Sequence, residues 1–277
     1  MRIKKTAIAL CAMLMVATAA SARSERVNIE GSRGNLVAVI QTPDNLKSGD
    51  KIPMAIIMHG FTGKKESPLL EGIANKLEAA GIASIRFDFN GHGESEGDFQ
   101  YMTVPNEIED AHKVYDYVSR LSYVSSIALA GHSQGGVVAS MLAGQLGADK
   151  VKDVVLMAPA GALREDAIRG NTMGKTYDPL DPPEYVEMFG GLKLGKDYIT
   201  TAFSLPIYET AANYHGKALM IHGTGDRLVP YTYSVLFNHI WPGSELQLLD
   251  GFDHGFMEDL DRVVDMASEH IIKTMKQ

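Results

Sequence analysis

The sequence predicts an α/β fold: a mostly parallel central sheet with helices on both faces and one inserted lid. Three observations predict it. Apolar strand candidates alternate with segments of helical spacing. Several of those strands are apolar throughout, which marks strands buried on both faces. One long stretch, about residues 160–208, breaks the alternation.

The elements follow in order. Val27–Ile29 and Leu36–Ile40, flanking Gly31 and Gly34, read as an antiparallel hairpin. Ile52–Met58 is a continuous apolar run and a buried strand. Pro68–Ala80 has Leu69, Leu70, Ile73, Ala74 and Leu77 at helical spacing, stopped by Gly81. Ala83–Phe89 is a strand, and Glu107–Leu121 a helix with Ile108, Ala111, Val114, Tyr115 and Val118 on one face. Ser126–Ala130 is a strand followed by a helix from about Gly136 to Leu146, and Val154–Met157 is another strand. After the interruption come a strand at Ala218–His222, a helix near Tyr231–Ile240, a strand at Glu245–Leu249 and a last helix at Leu260–Met275. The interruption holds many Gly and Pro residues and no clear strand. A structureless loop of that length is unusual in a compact domain, so an inserted lid is expected.

The chain has 277 residues, enough for one sizeable core, and its 45% hydrophobic and 22% charged residues are ordinary globular usage. Arg2, Lys4 and Lys5 precede an apolar run from Thr6 to Ala20, and Ala20-Ser21-Ala22 offers small residues for cleavage. Residues 1–22 therefore read as a signal peptide, leaving residues 23–277 as the mature domain in the periplasm or outside the cell. Cleavage removes Cys11, the single cysteine, so cysteine catalysis and cysteine-held zinc are excluded. It also removes three positive charges and no acidic residue, taking the formal net charge from −8 to −11. That surface repels phosphate backbones, so no nucleic-acid partner is expected, and no membrane contact after cleavage.

Gly131-His132-Ser133-Gln134-Gly135 is a G-x-S-x-G motif between a strand and a helix. The turn it requires is tight and strained, tolerates only small residues two before and two after the serine, and lifts the hydroxyl to a helix N-terminus. Ser133 is the candidate nucleophile. A serine needs a base, and on this architecture the chain order is serine, acid, histidine. His254 follows the last strand, in a loop at the carboxyl edge of the sheet, and is the candidate base. Asp226 follows the preceding strand and is the candidate acid, orienting the imidazole. Asp250 and Asp253 are too close in sequence to His254 to face its ring productively. The backbone N–H groups of Gln134 and of Phe61, in the loop after Ile52–Met58, are the candidate oxyanion donors. His59, at that strand's end, reads as a structural anchor for the loop. The turn Asp88–Ser95 lacks the Lys-Ser/Thr ending of a phosphate loop and reads as structural. His112, His215 and His270 have no partner at metal-ligand spacing, so neither a metal nor a cofactor is expected.

Together, His59-Gly60-Phe61, Asn90-Gly91-His92-Gly93-Glu94-Ser95, Gly131 to Gly136, His222-Gly223 with Asp226, and Asp253-His254 resemble the bacterial feruloyl (cinnamoyl) esterases, members of the α/β-hydrolase superfamily. The likeness extends into the interruption, through Gly161 to Asp166, Gly170-Asn171-Thr172, Thr176-Tyr177 and Leu205 to Glu209. The resemblance implies an α/β-hydrolase fold and hydrolysis of ferulate, p-coumarate or caffeate esters of a sugar or small alcohol. It also implies that Asp166 and Tyr198 bind the phenolic hydroxyl of the substrate. A general carboxylesterase or acetyl esterase with the same three residues is the alternative, and a homodimer stays open.

Overall fold

The computed structural model describes residues 23–277, and the expected signal peptide at residues 1–22 lies outside them. The chain runs β1 (Arg23–Gly31), β2 (Gly34–Thr42), β3 (Ile52–Met58), α1 (Pro68–Ala79), β4 (Ala83–Phe87), α2 (Val104–Ser119), β5 (Val124–His132), α3 (Gln134–Leu146) and β6 (Asp153–Met157). Then come α4 (Leu163–Arg169), β7 (Asn171–Thr172), β8 (Lys175–Thr176), β9 (Tyr185–Glu187), β10 (Lys193–Gly195), α5 (Lys196–Phe203) and α6 (Ile207–Ala211). β11 (Lys217–Gly223), α7 (Thr232–Ile240), β12 (Glu245–Leu249) and α8 (Leu260–Met275) complete it.

Eight strands form the central sheet in the order β1-β2-β4-β3-β5-β6-β11-β12. The β1–β2 hairpin and its pairing with β4 are antiparallel, and every other neighbour is parallel. The expected fold class holds. The strands are buried on both faces, as their apolar runs require: along β3, Met54, Ile56 and Met58 enter one core, while Ala55 and Ile57 enter the other. α1 and α8 cover the second face through residues such as Leu70, Ile73, Val263 and Ile271. α2, α3, α6 and α7 cover the first through Val114, Val138, Ile207 and Phe237.

The segment between β6 and β11 departs from the expectation of no strand. It carries two small two-stranded sheets, β7–β8 and β9–β10, besides its three helices. Strands of two or three residues leave too few side chains for an alternation to show in sequence. Leu194, Tyr198, Ile199 and Ala202 pin this excursion to the first core.

Parallel register sets the site. Met58 pairs with Gly131, His132 with Met157, and Met157 with Ile221. The loops that leave β3, β5, β6 and β11 therefore emerge side by side at one edge, where open α/β sheets bind their ligands.

Candidate active site

Ser133 sits between β5 and α3 with φ 56° and ψ −122°, a conformation rarely tolerated by a side chain. The fold holds it there. Its N–H donates to the carbonyl of Met157 at 2.9 Å, and its own carbonyl accepts from Ala160 N–H at 3.0 Å. A methyl group on Gly131 would strike the carbonyl of Gly135, and one on Gly135 would strike that of His59, so the turn closes only with glycine at both places. Gly60 lets the loop after β3 approach equally close: a methyl group there would stand 2.7 Å from the Cβ of Ser133.

The structure brings the three expected side chains into one line. The Ser133 hydroxyl donates to His254 Nε2 at 2.8 Å, and His254 Nδ1–H donates to Asp226 Oδ2 at 2.7 Å. Asp226 is fully buried at its side chain and has four donors. Its Oδ1 accepts from the N–H groups of Leu228 and Val229, each at 2.8 Å. Its Oδ2 accepts from His254 and, at 3.0 Å, from His222 Nε2. Burial disfavours the carboxylate, but the hydrogen bonds from His222 and His254 outweigh it and hold Asp226 below the ordinary carboxylate range.

Phe61 and Gln134 flank the serine. Gln134 is the first residue of α3, where N–H groups have no intrahelical acceptor and the helix dipole is positive. The Phe61 loop is closed by Gly63 N–H donating to Gly60 O at 2.9 Å. His59 anchors that loop: its Nδ1–H donates to Gly60 O at 2.8 Å, and its Nε2 accepts from Phe89 N–H at 3.1 Å. Burial lowers its pKa to about 4, so it is neutral and consistent with that tautomer. Beneath the loop, buried Lys65 donates to Asp88 at 2.7 Å and to Glu94 at 2.6 Å.

Above the serine opens a pocket of about 350 Å³, lined among others by Leu70, Ala162, Leu163, Met173 and Val229. Asp166 of α4 and Tyr198 of α5 both line it. Burial pushes the pKa of Asp166 up to about 6, opposed by Arg169. Tyr198 is 2% exposed, and its hydroxyl donates to Gln134 Oε1 at 2.8 Å. The Gln134 amide in turn donates to buried Glu107 Oε2 at 2.8 Å. Tyr198 thus joins the excursion to the helix behind the serine, with an oxygen lone pair left as an acceptor.

Three contacts were not foreseen. His222 reaches the acid, the Gln134 side chain ties α3 to α2 and α5, and His132 Nε2–H donates to the carbonyl of His254 at 2.9 Å. Burial lowers the pKa of His132 to about 4, leaving it neutral. A histidine inside an apolar strand, as His222 is, was the one sequence signal available: a buried imidazole requires partners. Among the described residues no group of three His, Cys, Asp or Glu side chains is arranged to hold a metal.

Sheet order, nucleophile turn and side-chain line define the class: the chain is a serine hydrolase of the α/β-hydrolase superfamily, with an esterase fold. Residues 52–179 match the family described as serine aminopeptidase, S33. The chain is similar to Est1E from Butyrivibrio proteoclasticus in a structure with ferulic acid bound: 29% identity, TM-score 0.86, covering 91% of this chain and 100% of that one. A second Est1E structure gives 27% identity and a TM-score of 0.82, covering 91% and 99%. The resemblance carried by the sequence motifs thus extends over nearly all of the described chain. An α/β serine hydrolase homologue from Coxiella burnetii, 21% identical, shares the fold with a TM-score of 0.62, covering 89% of this chain and 97% of that one. A curated Escherichia coli protein, the uncharacterized 31.7 kDa protein in the traX-finO intergenic region, is 35% identical over 88 residues. That alignment spans 31% of this chain and 30% of the relative.

Proposed function

We propose that the protein hydrolyses esters of hydroxycinnamic acids through an acyl-enzyme on Ser133. The carrying observation is the unbroken line Ser133–His254–Asp226 opening into an apolar pocket that also presents Asp166 and Tyr198. Ser133 Oγ attacks the ester carbonyl carbon as its proton passes to His254 Nε2. The carbonyl oxygen, now an anion, takes the N–H groups of Phe61 and Gln134. The C–O bond breaks, and the alcohol leaves with the proton from His254. A water then gives a proton to the same nitrogen and attacks the acyl carbon; the bond from that carbon to Oγ breaks, Oγ takes the proton back from His254, and the acid is released. Asp226 stays ionised throughout and steadies the imidazolium.

The flat acyl group of a hydroxycinnamate suits an apolar slot with polar groups at one place. Its phenolic hydroxyl meets Asp166 and the free lone pair of Tyr198. The likeness to Est1E, whose structure holds ferulic acid, supports this substrate class. Residues 1–22 direct export, so the substrate is a small aromatic ester or feruloylated sugar met outside the cytoplasm.

The test uses residues 23–277. Ser133→Ala is expected to cut methyl ferulate turnover by roughly 10⁴-fold or more; retained turnover rules the mechanism out. The kcat/KM of the unaltered chain is expected to favour methyl ferulate over a short-chain acetate ester. The reverse preference makes it a general carboxylesterase.

A further inference from the structure

The acid does not end at Asp226. Its Oδ2, the oxygen that receives His254, also receives a second imidazole from the end of β11. His222 is fully buried, and each ring nitrogen has a partner of one kind. Nε2 faces two acceptors, Asp226 Oδ2 at 3.0 Å and the carbonyl of Val229 at 3.0 Å, so it carries the hydrogen. Nδ1 then accepts, and the buried hydroxyl of Ser234 on α7 stands 2.7 Å from it. A hydrogen-bonded chain therefore runs Ser234–His222–Asp226–His254–Ser133, drawing on α7, β11, the loop after it, the loop after β12 and the nucleophile turn.

We propose that His222 is a positioning residue for the acid: held in one tautomer by the two acceptors at Nε2 and oriented by Ser234 at Nδ1, it fixes the rotation of the Asp226 carboxylate and, as a second donor to Oδ2, limits how strongly that oxygen holds the His254 proton. The proposal rests on the reading of Ser133, His254 and Asp226 given above. With two backbone donors on Oδ1 and two imidazoles on Oδ2, every side of the carboxylate is engaged. Without His222, Oδ2 would keep His254 alone of these two donors, and its imidazolium would then be bound more tightly. The base would stay protonated to a higher pH.

Few other groups act on this chain. From the nucleophile turn, His132 faces His254 with ring centres 5.1 Å apart, and burial keeps it neutral. On the loop that carries His254, Asp253 turns its carboxylate to the N–H groups of Gly255 and Met257, and Glu258 accepts from Asp253 N–H. Beside the acid, Arg227 is exposed. α7 brings the Ser234 hydroxyl to His222.

The experiment is a pH profile of kcat/KM for methyl ferulate on the mature chain and three variants. His222→Leu is expected to move the acidic limb up by about one pH unit and lower the plateau about tenfold. His222→Gln, whose amide N–H can stand where Nε2–H stood, is expected to restore the limb. Ser234→Ala is expected to move it in the same direction as Leu, by about 0.3 unit, because only the Nδ1 partner that orients the ring is lost. A packing role alone would lower the plateau and leave the limb in place. A folded His222→Leu chain with an unmoved limb overturns the proposal. If that variant does not fold, an unmoved limb in Ser234→Ala, or a limb in His222→Gln displaced by about a unit, overturns it. Ser133→Ala separates the two readings. If that variant still hydrolyses the ester, the assigned mechanism fails; if it is inactive while the limbs do not move, only the role of His222 fails.

Discussion

Two fully buried aspartates meet histidines at opposite ends of the same sheet. Asp226 and His254 meet at the carboxyl edge, 2.7 Å apart. Asp153, the first residue of β6, meets His270 of α8 at 3.0 Å near the amino edge. Met157 stands four residue steps along the strand from Asp153, about 13 Å along the sheet. Each carboxylate side chain is fully buried. The difference lies in where the hydroxyl attaches. At the carboxyl edge, Ser133 donates to the histidine, which can take its proton. At the amino edge, Thr274 donates to the aspartate itself, at 2.6 Å, and His270 Nδ1 lies 4.0 Å from Glu245. No hydroxyl is activated there, and the 350 Å³ pocket lies at the other end. The same two residue types build a reactive arm in one place and a clasp between α8 and β6 in the other. What separates them is the sequence of donors and acceptors.

Replacing the two histidines breaks this comparison most sharply. His254→Ala is expected to lower turnover by roughly 10⁴-fold or more while moving the urea midpoint less than His270→Ala does, since Asp226 keeps its donors His222, Leu228 and Val229. His270→Ala is expected to do the opposite: turnover within about twofold, but a loss of about 1–3 kcal/mol, because buried Asp153 loses a donor. If His270→Ala abolished turnover in a chain that still folded, the amino-edge pair would not be merely a clasp.

Asp166 sharpens the comparison, since it is a pocket carboxylate with no imidazole partner among its influences. Its folded pKa of about 6 lies above its ordinary value of 3.8, with burial as the main cause. The fold therefore favours the protonated form. That stability is complete below about 3.8 and is lost as pH rises through about 6. Asp166→Asn should thus stabilise the chain at pH 7.5, by about 1–2 kcal/mol once solvent screening is allowed for. The gain should shrink towards zero near pH 4, as urea midpoints at the two pH values would show. The same substitution is expected to raise KM for methyl ferulate about tenfold and leave methyl cinnamate, which lacks the phenol, unaffected. Equal effects on both esters would remove Asp166 from phenol recognition.

Tyr198→Phe carries the smallest effect. It removes one neutral hydrogen bond, to Gln134, worth about 1 kcal/mol. The kcat/KM for methyl ferulate is expected to fall about fivefold. A comparable fall for a short-chain acetate ester would mean that Tyr198 serves the Gln134 contact rather than the phenol.

Much of this was legible in the sequence. Apolar runs marked β3, β5, β6 and β11 because strands buried on both faces admit few polar residues. Strand ends shifted by up to four residues, as at Val124–His132, where Val124, Ser125, Gly131 and His132 lie beyond the expected Ser126–Ala130. Ser133, Asp226 and His254 were readable because each sits in a loop directly after a strand, and chain order assigns their parts. His222, His132 and the Asp153–His270 pair were not assigned these parts. Their partners lie 4, 122 and 117 residues away in the chain, and even the nearest follows no helical or strand geometry, because the chain turns between Gly223 and Asp226.

By itself, the order of apolar and polar residues determined the layers, the parallel strands, and which serine, aspartate and histidine stand at one edge. Periodicity and turn chemistry are local, and burial is the dominant force that reads them. The tertiary structure alone decided that a second aspartate–histidine pair, Asp153 with His270, clasps the amino edge. It also decided that Tyr198 is tied to Gln134, and that a second imidazole stands behind the acid. Those outcomes depend on the direction of hydrogen bonds between distant segments, to within a few tenths of an ångström, and no pattern along the chain encodes that.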